Sequence, residues 1–212
     1  MNTQHHVITI GRQLGSGGSA MGKAIAEHFG FRYIDKEILV RAADILDADM
    51  ENLEMVDEKN GSILTAMARS AAYEMPYMAK EWYIPTSEQL FKTQTQIMKE
   101  AVEETPCVII GRCAPYLFRN YEKHTSIFLQ ADVDARIARL ERTLDQKIPR
   151  KKALHDFERE DHDRAVYYNT FTGKKWLDLR QYDFVLDTTH FNDEQIQDIL
   201  FHYITTRFPE LK

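Results

Sequence analysis

Apolar residues along this chain follow two different periods, and the alternation between them outlines the architecture. Val7-Ile8-Thr9-Ile10 is a short, mostly β-branched run ending in Gly11, which reads as a buried strand. Similar runs at residues 31–34, 107–110, 126–129 and 183–186 predict four more strands. Between them the apolar positions recur at helical spacing. Residues 21–29 form one such segment, with Ile25, Ala26 and Phe29 on its apolar face and Gly30 as its stop. Residues 36–43 follow, with Asp35 placed to cap them, and later segments cover 132–144 and 193–207.

The stretch from residue 47 to about 105 is helical in pattern and poor in strand signals. Two amphipathic segments stand out in it, residues 62–73 and 87–104, separated by breaks at Met75-Pro76 and Ile84-Pro85. Five apolar strands separated by helices predict an α/β fold, a five-stranded parallel sheet with helices on both faces. The expected organisation is one domain over residues 1–212. Residues 45–105 read as a helical insertion over the carboxyl edge of the sheet, and residues 136–165 as a lid.

Composition narrows the partners. The 212 residues carry a formal net charge of −6, which argues against a nucleic-acid partner with a broad electrostatic footprint. An anionic small molecule would need a local cluster of cations and backbone amides instead. The start of the chain lacks the apolar core of a signal peptide, and no apolar run approaches the roughly 20 residues of a membrane span. Together with two cysteines, Cys107 and Cys113, read as unbridged thiols, this gives a cytoplasmic expectation with no membrane partner. The oligomeric state is open, since the apolar positions Met75, Tyr77, Met78, Trp82 and Tyr83 suit a core or a subunit interface.

The first candidate site lies between the first strand and the first helix. Gly17-Gly18-Ser19-Ala20-Met21-Gly22-Lys23 fits the pattern G-x-x-x-x-G-K, and Gly15 and Ser16 extend the loop upstream. Successive amides in a glycine-rich turn form an anion nest, and the helix N-terminus adds partial positive charge. In this reading Lys23 reaches the β- and γ-phosphates. Ala24 stands where many such loops place the magnesium-ligating hydroxyl, so Ser16, Ser19 or water would compensate and the metal ligands are unassigned. The same glycines also match the dinucleotide pattern Gly15-x-Gly17-x-x-Ala20, with Asp35 as the ribose acid. In that pattern the first glycine follows the strand at once, whereas here Gly11 to Leu14 intervene.

A second anion site is predicted from arginines. Arg112 follows the third strand immediately, where open α/β sheets bind ligands, and Arg41 lies on the helix after the second strand. Arg136, Arg139 and Arg142 recur at spacing three on the helix after the fourth strand. A dense charge run, Glu158 to Arg164, lies beyond Ile148-Pro149. This region reads as a lid whose Arg136 or Arg139 closes on the transferred phosphoryl group. His155 and His162 match no strong metal-ligand spacing.

With these residues in view, the chain resembles the cytidylate kinase-like family. The resemblance is carried by Ile8-Thr9-Ile10-Gly11-Arg12-Gln13 running into Gly15-Ser16-Gly17-Gly18, and by Tyr33-Ile34-Asp35-Lys36-Glu37. Val56-Asp57-Glu58-Lys59, Ile109-Ile110-Gly111-Arg112-Cys113-Ala114 and Asp163-Arg164-Ala165-Val166-Tyr167-Tyr168 continue it. Phe171-Thr172-Gly173-Lys174-Lys175-Trp176 and the segment from Tyr182 to Thr188 complete it. The resemblance implies ATP as phosphate donor, Mg²⁺, and a nucleoside monophosphate such as CMP as acceptor. The insertion over residues 45–105 would then be acceptor-binding, and Asp35, Arg41, Arg112, Asp161 and Arg164 would hold that acceptor. Cys113 stands where the family pattern has an aspartate that reads cytosine, and no arginine matches the one expected just ahead of Asp161. The alternatives are a kinase for another phosphorylated metabolite, and a nucleotide-binding sensor without efficient catalysis.

Overall fold

In the computed structural model, which describes residues 5–50, 53 and 85–212, the strands assemble into one sheet of order β2-β3-β1-β4-β5. These are β1 (Val7–Arg12), β2 (Arg32–Ile34), β3 (Cys107–Ile110), β4 (His124–Gln130) and β5 (Phe184–Asp187). Every pairing is parallel, with Ile8 opposite Val108 on one side and Thr125 on the other. β1 is thus central, and its residues from Val7 to Gly11 are all buried.

The strand period of two sends alternate residues to opposite layers. Val7, Cys107 and Ile109 pack with α2 (Glu37–Leu46), α3 (Ser87–Glu104) and the short α4 (Ala114–Leu117). Ile8, Ile10, Val108, Ile110, Ile127 and Leu129 pack on the other face with α1 (Gly18–Phe29) and α7 (Asp193–Arg207). A third, aromatic cluster joins Phe128 to Tyr167, Tyr168, Trp176 and Tyr182. It docks the end of α6 (Arg150–Thr172) and the 3₁₀ turn Leu179–Gln181 beside the sheet, while α5 (Val133–Leu144) lies ahead of α6 in the chain. The expected fold, a five-stranded parallel sheet covered on both faces, is the one observed.

Several helix boundaries follow from local chemistry. Thr86 and Gln89 form a reciprocal capping box at the start of α3, as Asn192 and Gln195 do for α7. Asp132 accepts the Ala135 N–H at 2.8 Å and opens α5. Asp35 does not cap α2. Lys36 occupies that position in helical conformation, and the Asp35 carboxylate is engaged elsewhere. The expected segment at residues 62–73, the Met75-Pro76 break, the Val56-Asp57-Glu58-Lys59 motif and the apolar positions Met75 to Tyr83 lie outside the described residues. The described part of the 45–105 block contains the end of α2 and the 18-residue α3. Among the described residues, no helix is long and apolar enough to cross a membrane.

Candidate active site

The carboxyl ends of β1, β2 and β3 and the start of α1 surround a cleft of about 550 Å³. Gly15, Gly17, Gly18, Ser19 and Ala20 line it, together with Asp35, Arg112 and Arg164. A glycine-rich loop crosses from β1 to α1 with Gly15 at φ 80° and Gly17 at φ 94°. Both angles favour glycine, and at Gly15 an added Cβ would also lie 3.0 Å from the Arg136 carbonyl. Ser16 is fully buried beneath the loop, where its N–H and hydroxyl both donate to the Gln13 carbonyl.

The loop carbonyls are held from behind. Arg136 Nε donates to the Leu14 carbonyl, Arg139 Nη1 to the Gly15 carbonyl at 3.1 Å, and the Thr188 hydroxyl to the Ser16 carbonyl at 3.1 Å. In a trans peptide the next N–H points the opposite way. Fixing the Leu14 and Ser16 carbonyls on the protein side therefore turns the Gly15 and Gly17 amides away from it. They join the first amides of α1, which the helix itself leaves without partners, in a nest suited to phosphate oxygens.

This arrangement corrects two expectations. Arg136 and Arg139 do not sit on a raised lid; both guanidinium groups are buried and brace the loop. Their spacing of three puts both on the face of α5 that packs against it. Arg136 also pairs with Asp161 at 2.5 Å and stacks over the Phe157 ring, so α5 and α6 close on the loop from below. Arg139 still borders the cleft while it pairs with Asp193. Arg142, the third of the series, is exposed and pairs with Asp193 at 3.0 Å.

The second correction concerns the motif register. The helix opens at Gly18, with Gly17 as its left-handed cap, rather than near Met21. Gly22, Lys23 and Ala24 are therefore interior helical residues, and none of them lines the cleft. Gly22 is buried where a Cβ would come 2.5 Å from Ile110 Cδ1, so it serves helix–sheet packing. Lys23 is exposed, with its ammonium 5.9 Å from the centre of the Tyr33 ring.

Of the five residues expected to hold an acceptor, three line the cleft. Arg112 is buried and its Nη1 lies 3.5 Å from Asp35 Oδ1 across the ends of β3 and β2. Its backbone belongs to a run of three positive φ angles, Gly111 at 72°, Arg112 at 48° and Cys113 at 59°. A non-glycine residue held there costs on the order of 1–3 kcal/mol, and such strain is commonest at ligand sites. Arg164 lines the cleft and its Nη1 donates to Asp161 at 3.2 Å. Asp161 itself stands behind the loop, where it also accepts the Leu14 N–H at 2.8 Å. Arg41 is not brought to the cleft: its guanidinium lies 3.5 Å from Glu100 on α3.

Two residues at or beside the cleft that the sequence reading did not assign to the site are Arg12, which lines it, and Tyr33, which meets Asp35. Arg12 lines the cleft as the last residue of β1, a polar side chain at the carboxyl end of a central strand. That position was the available signal. Tyr33 donates its hydroxyl to Asp35 at 2.9 Å, and burial, then the Asp35 charge, raises its pKa. Ser19 also points its hydroxyl at Asp35, at 3.4 Å. No group of three or more His, Cys, Asp and Glu side chains that could hold a metal occurs among the described residues, and His155 and His162 are both exposed.

A glycine-rich loop at the head of a central parallel strand, sharing one cleft with the buried Arg112 and the partly buried Arg164, has the make-up of a kinase-like phosphotransferase. The model of the cytidylate kinase-like family matches residues 7–190, and the chain belongs to that family. A cytidylate kinase from Methanopyrus kandleri is 24% identical over 203 residues, covering 92% of this chain and 90% of that protein. A cytidylate kinase from Pyrococcus furiosus is 25% identical over 191 residues, covering 90% and 83%. Among solved structures, an uncharacterized protein from Eubacterium ventriosum superposes with a TM-score of 0.66 at 22% identity, covering 95% of this chain and 99% of that one. Shikimate kinase from Bacteroides thetaiotaomicron shares the fold with a TM-score of 0.50 at 13% identity, over 95% and 97%.

Proposed function

We propose that this protein transfers the terminal phosphoryl group of ATP to a small acceptor that already carries a phosphate, with nucleoside monophosphates as the first candidates. The observation that carries this reading is that the glycine-rich loop and two arginines share one cleft. Gly15, Gly17 and the first residues of α1 line it together with Arg112 and Arg164, and Arg112 pairs with the Asp35 carboxylate that the Ser19 hydroxyl also meets. An acceptor phosphate held by these arginines offers an ionised oxygen that needs no general base at neutral pH. That oxygen bonds to the γ-phosphorus as the bond to the β,γ-bridging oxygen breaks, and ADP leaves with the electron pair. Catalysis is then chiefly alignment and charge stabilisation.

A divalent cation fits the site on the chemistry of its donors. Ser19 Oγ and the Asp35 carboxylate, 3.4 Å apart at the cleft wall, supply the hard oxygen ligands that Mg²⁺ takes. When bound, the ion neutralises charge on the triphosphate. Arg139, at the loop edge, braces the Gly15 carbonyl and so the backbone between the Gly15 and Gly17 amides.

The relatives named as cytidylate kinases make CMP the first acceptor to test. One observation favours a different acceptor. Cys113, buried beside Tyr167, Tyr168, Trp176 and Tyr182, presents an apolar thiol where the family pattern has a base-reading aspartate. ADP release measured with ATP, Mg²⁺ and a panel of CMP, dCMP, UMP, AMP, GMP and phosphorylated sugars separates the two. Turnover with a pyrimidine monophosphate supports the nucleotide kinase. Turnover with a non-nucleotide phosphate alone supports the second acceptor class. ATP binding with no acceptor-dependent ADP release would overturn both and leave a nucleotide sensor.

A further inference from the structure

A phosphate loop places its lysine directly after the last glycine of the loop, at the first helical position, with a hydroxyl residue next. The helix here opens at Gly18, so that register covers Arg12-Gln13-Leu14-Gly15-Ser16-Gly17-Gly18-Ser19. The hydroxyl residue is in place as Ser19, and the last loop glycine as Gly17. Two positions depart: Arg12 stands where the pattern has its first glycine, and Gly18 stands where it has the lysine.

These departures are complementary in space. A Cβ built on Gly18 would lie 2.5 Å from Arg12 Cβ, 2.6 Å from its Cγ and 3.5 Å from its Cδ. The Arg12 stem therefore occupies the space into which a side chain at position 18 would grow. Its Cβ and Cγ cannot swing aside as a side-chain tip could, so an arginine at 12 and a lysine at 18 exclude one another. The Arg12 side chain lines the cleft, and its charge acts on the Tyr33 hydroxyl that donates to Asp35. Lys23, by contrast, starts one helical turn beyond Ser19 and lies outside the cleft lining.

We propose that Arg12 supplies the triphosphate-binding cation of this loop, the charge having moved from the first helical position to the end of the central strand. The assignment rests on the kinase reading above. It also accounts for the glycine at position 18, which keeps the helix start open for the arginine. The consequence is chemical as well as positional. A guanidinium presents a rigid fork that binds two phosphate oxygens at once, and it stays protonated at any pH at which the fold survives.

The test compares ATP dissociation constants by isothermal titration calorimetry, without acceptor and in Mg²⁺, for wild type, Arg12→Gln, Lys23→Ala and the double variant Arg12→Gly/Gly18→Lys. A thermal melt checks the fold of each. Arg12→Gln is expected to weaken ATP binding by about tenfold or more, the scale of a lost charge-assisted contact, and Lys23→Ala by less. The double variant, which rebuilds the lysine register without the clash, is expected to recover affinity to within about threefold of wild type. ATP affinity in Arg12→Gln within about twofold of wild type overturns the assignment, as does a larger loss in Lys23→Ala than in Arg12→Gln. A loss in Arg12→Gln that the double variant fails to recover overturns the exchange of positions. If wild type binds neither ATP nor GTP, it is the kinase reading that fails.

Discussion

Arg136 and Asp161 grip Leu14 at both of its backbone polar groups: the guanidinium donates to its carbonyl, the carboxylate accepts its N–H at 2.8 Å, and the two side chains pair with each other at 2.5 Å. The contact joins residues 122 and 147 positions away in the chain to the glycine-rich loop. It makes the loop geometry depend on α5 and α6, and it ties the loop to Arg164 through a shared carboxylate.

Removing one member of that clamp should cost stability and binding together. Arg136→Ala leaves Asp161 and the Leu14 carbonyl with a lost donor in a largely buried place, a change that typically costs about 3–5 kcal/mol and here, with Arg164 still on Asp161, about 2–4. Urea unfolding of Arg136→Ala, Asp161→Ala and the double variant measures it. Coupling of at least about 1 kcal/mol is expected between the two sites. Strict additivity would show that the clamp is not a unit.

Gly18→Ala is expected to destabilise the protein by about 1–3 kcal/mol even though alanine is the better helix former, because its Cβ meets the Arg12 stem. The same substitution made in Arg12→Gly should be tolerated, since the Cβ and Cγ that obstruct it are both gone. Thermal melts of the four proteins in that cycle decide it. Equal penalties in both backgrounds would contradict the packing argument.

Arg112→Lys keeps the charge but loses the planar fork that faces Asp35. Once an acceptor is known, its KM should rise by about tenfold or more while the KM for ATP moves by less than about threefold. Initial-rate kinetics with each substrate varied in turn separates these effects. A defect confined to ATP would move Arg112 to the donor site.

The fold should also lose stability on mild acidification. His124 is buried against Thr9, its Nε2 2.8 Å from the Thr9 hydroxyl, and burial lowers its pKa from 6.5 to about 4. The native state thus resists a proton that the unfolded chain accepts. The contribution is complete above about pH 6.5, shrinks as pH falls, and is gone once pH passes below about 4, a span worth on the order of 3 kcal/mol. Melting curves between pH 7.5 and 4 should therefore fall more steeply for wild type than for His124→Gln. Parallel slopes would remove His124 as the source.

Much of the framework was legible in the amino-acid order. The near-continuous apolar runs Val7-Ile8-Thr9-Ile10 and Cys107-Val108-Ile109-Ile110 specified strands buried on both faces, and a strand so buried in a βα repeat belongs to a parallel sheet. Ser87–Glu104 and Asp193–Arg207 were readable to the residue because their caps are local chemistry. Arg112 could be placed in the cleft because it ends a strand. Arg41, read from its place on a helix alone, could not, since only the neighbouring α3 decides that Glu100 lies beside it.

What the sequence by itself determined is therefore the strands, their burial and the presence of a glycine-rich loop between β1 and α1, all set by residues within a few positions of one another. The loop's register was decided by tertiary structure. A run of glycines permits the helix to begin at more than one residue, and a spacing motif does not discriminate among them. The choice of Gly18 goes with contacts from residues 122 to 172 positions away, the arginines of α5 and Thr188, which fix the loop carbonyls and so its amides. Those contacts left Lys23 on the helix surface and Arg12 against the open face of Gly18.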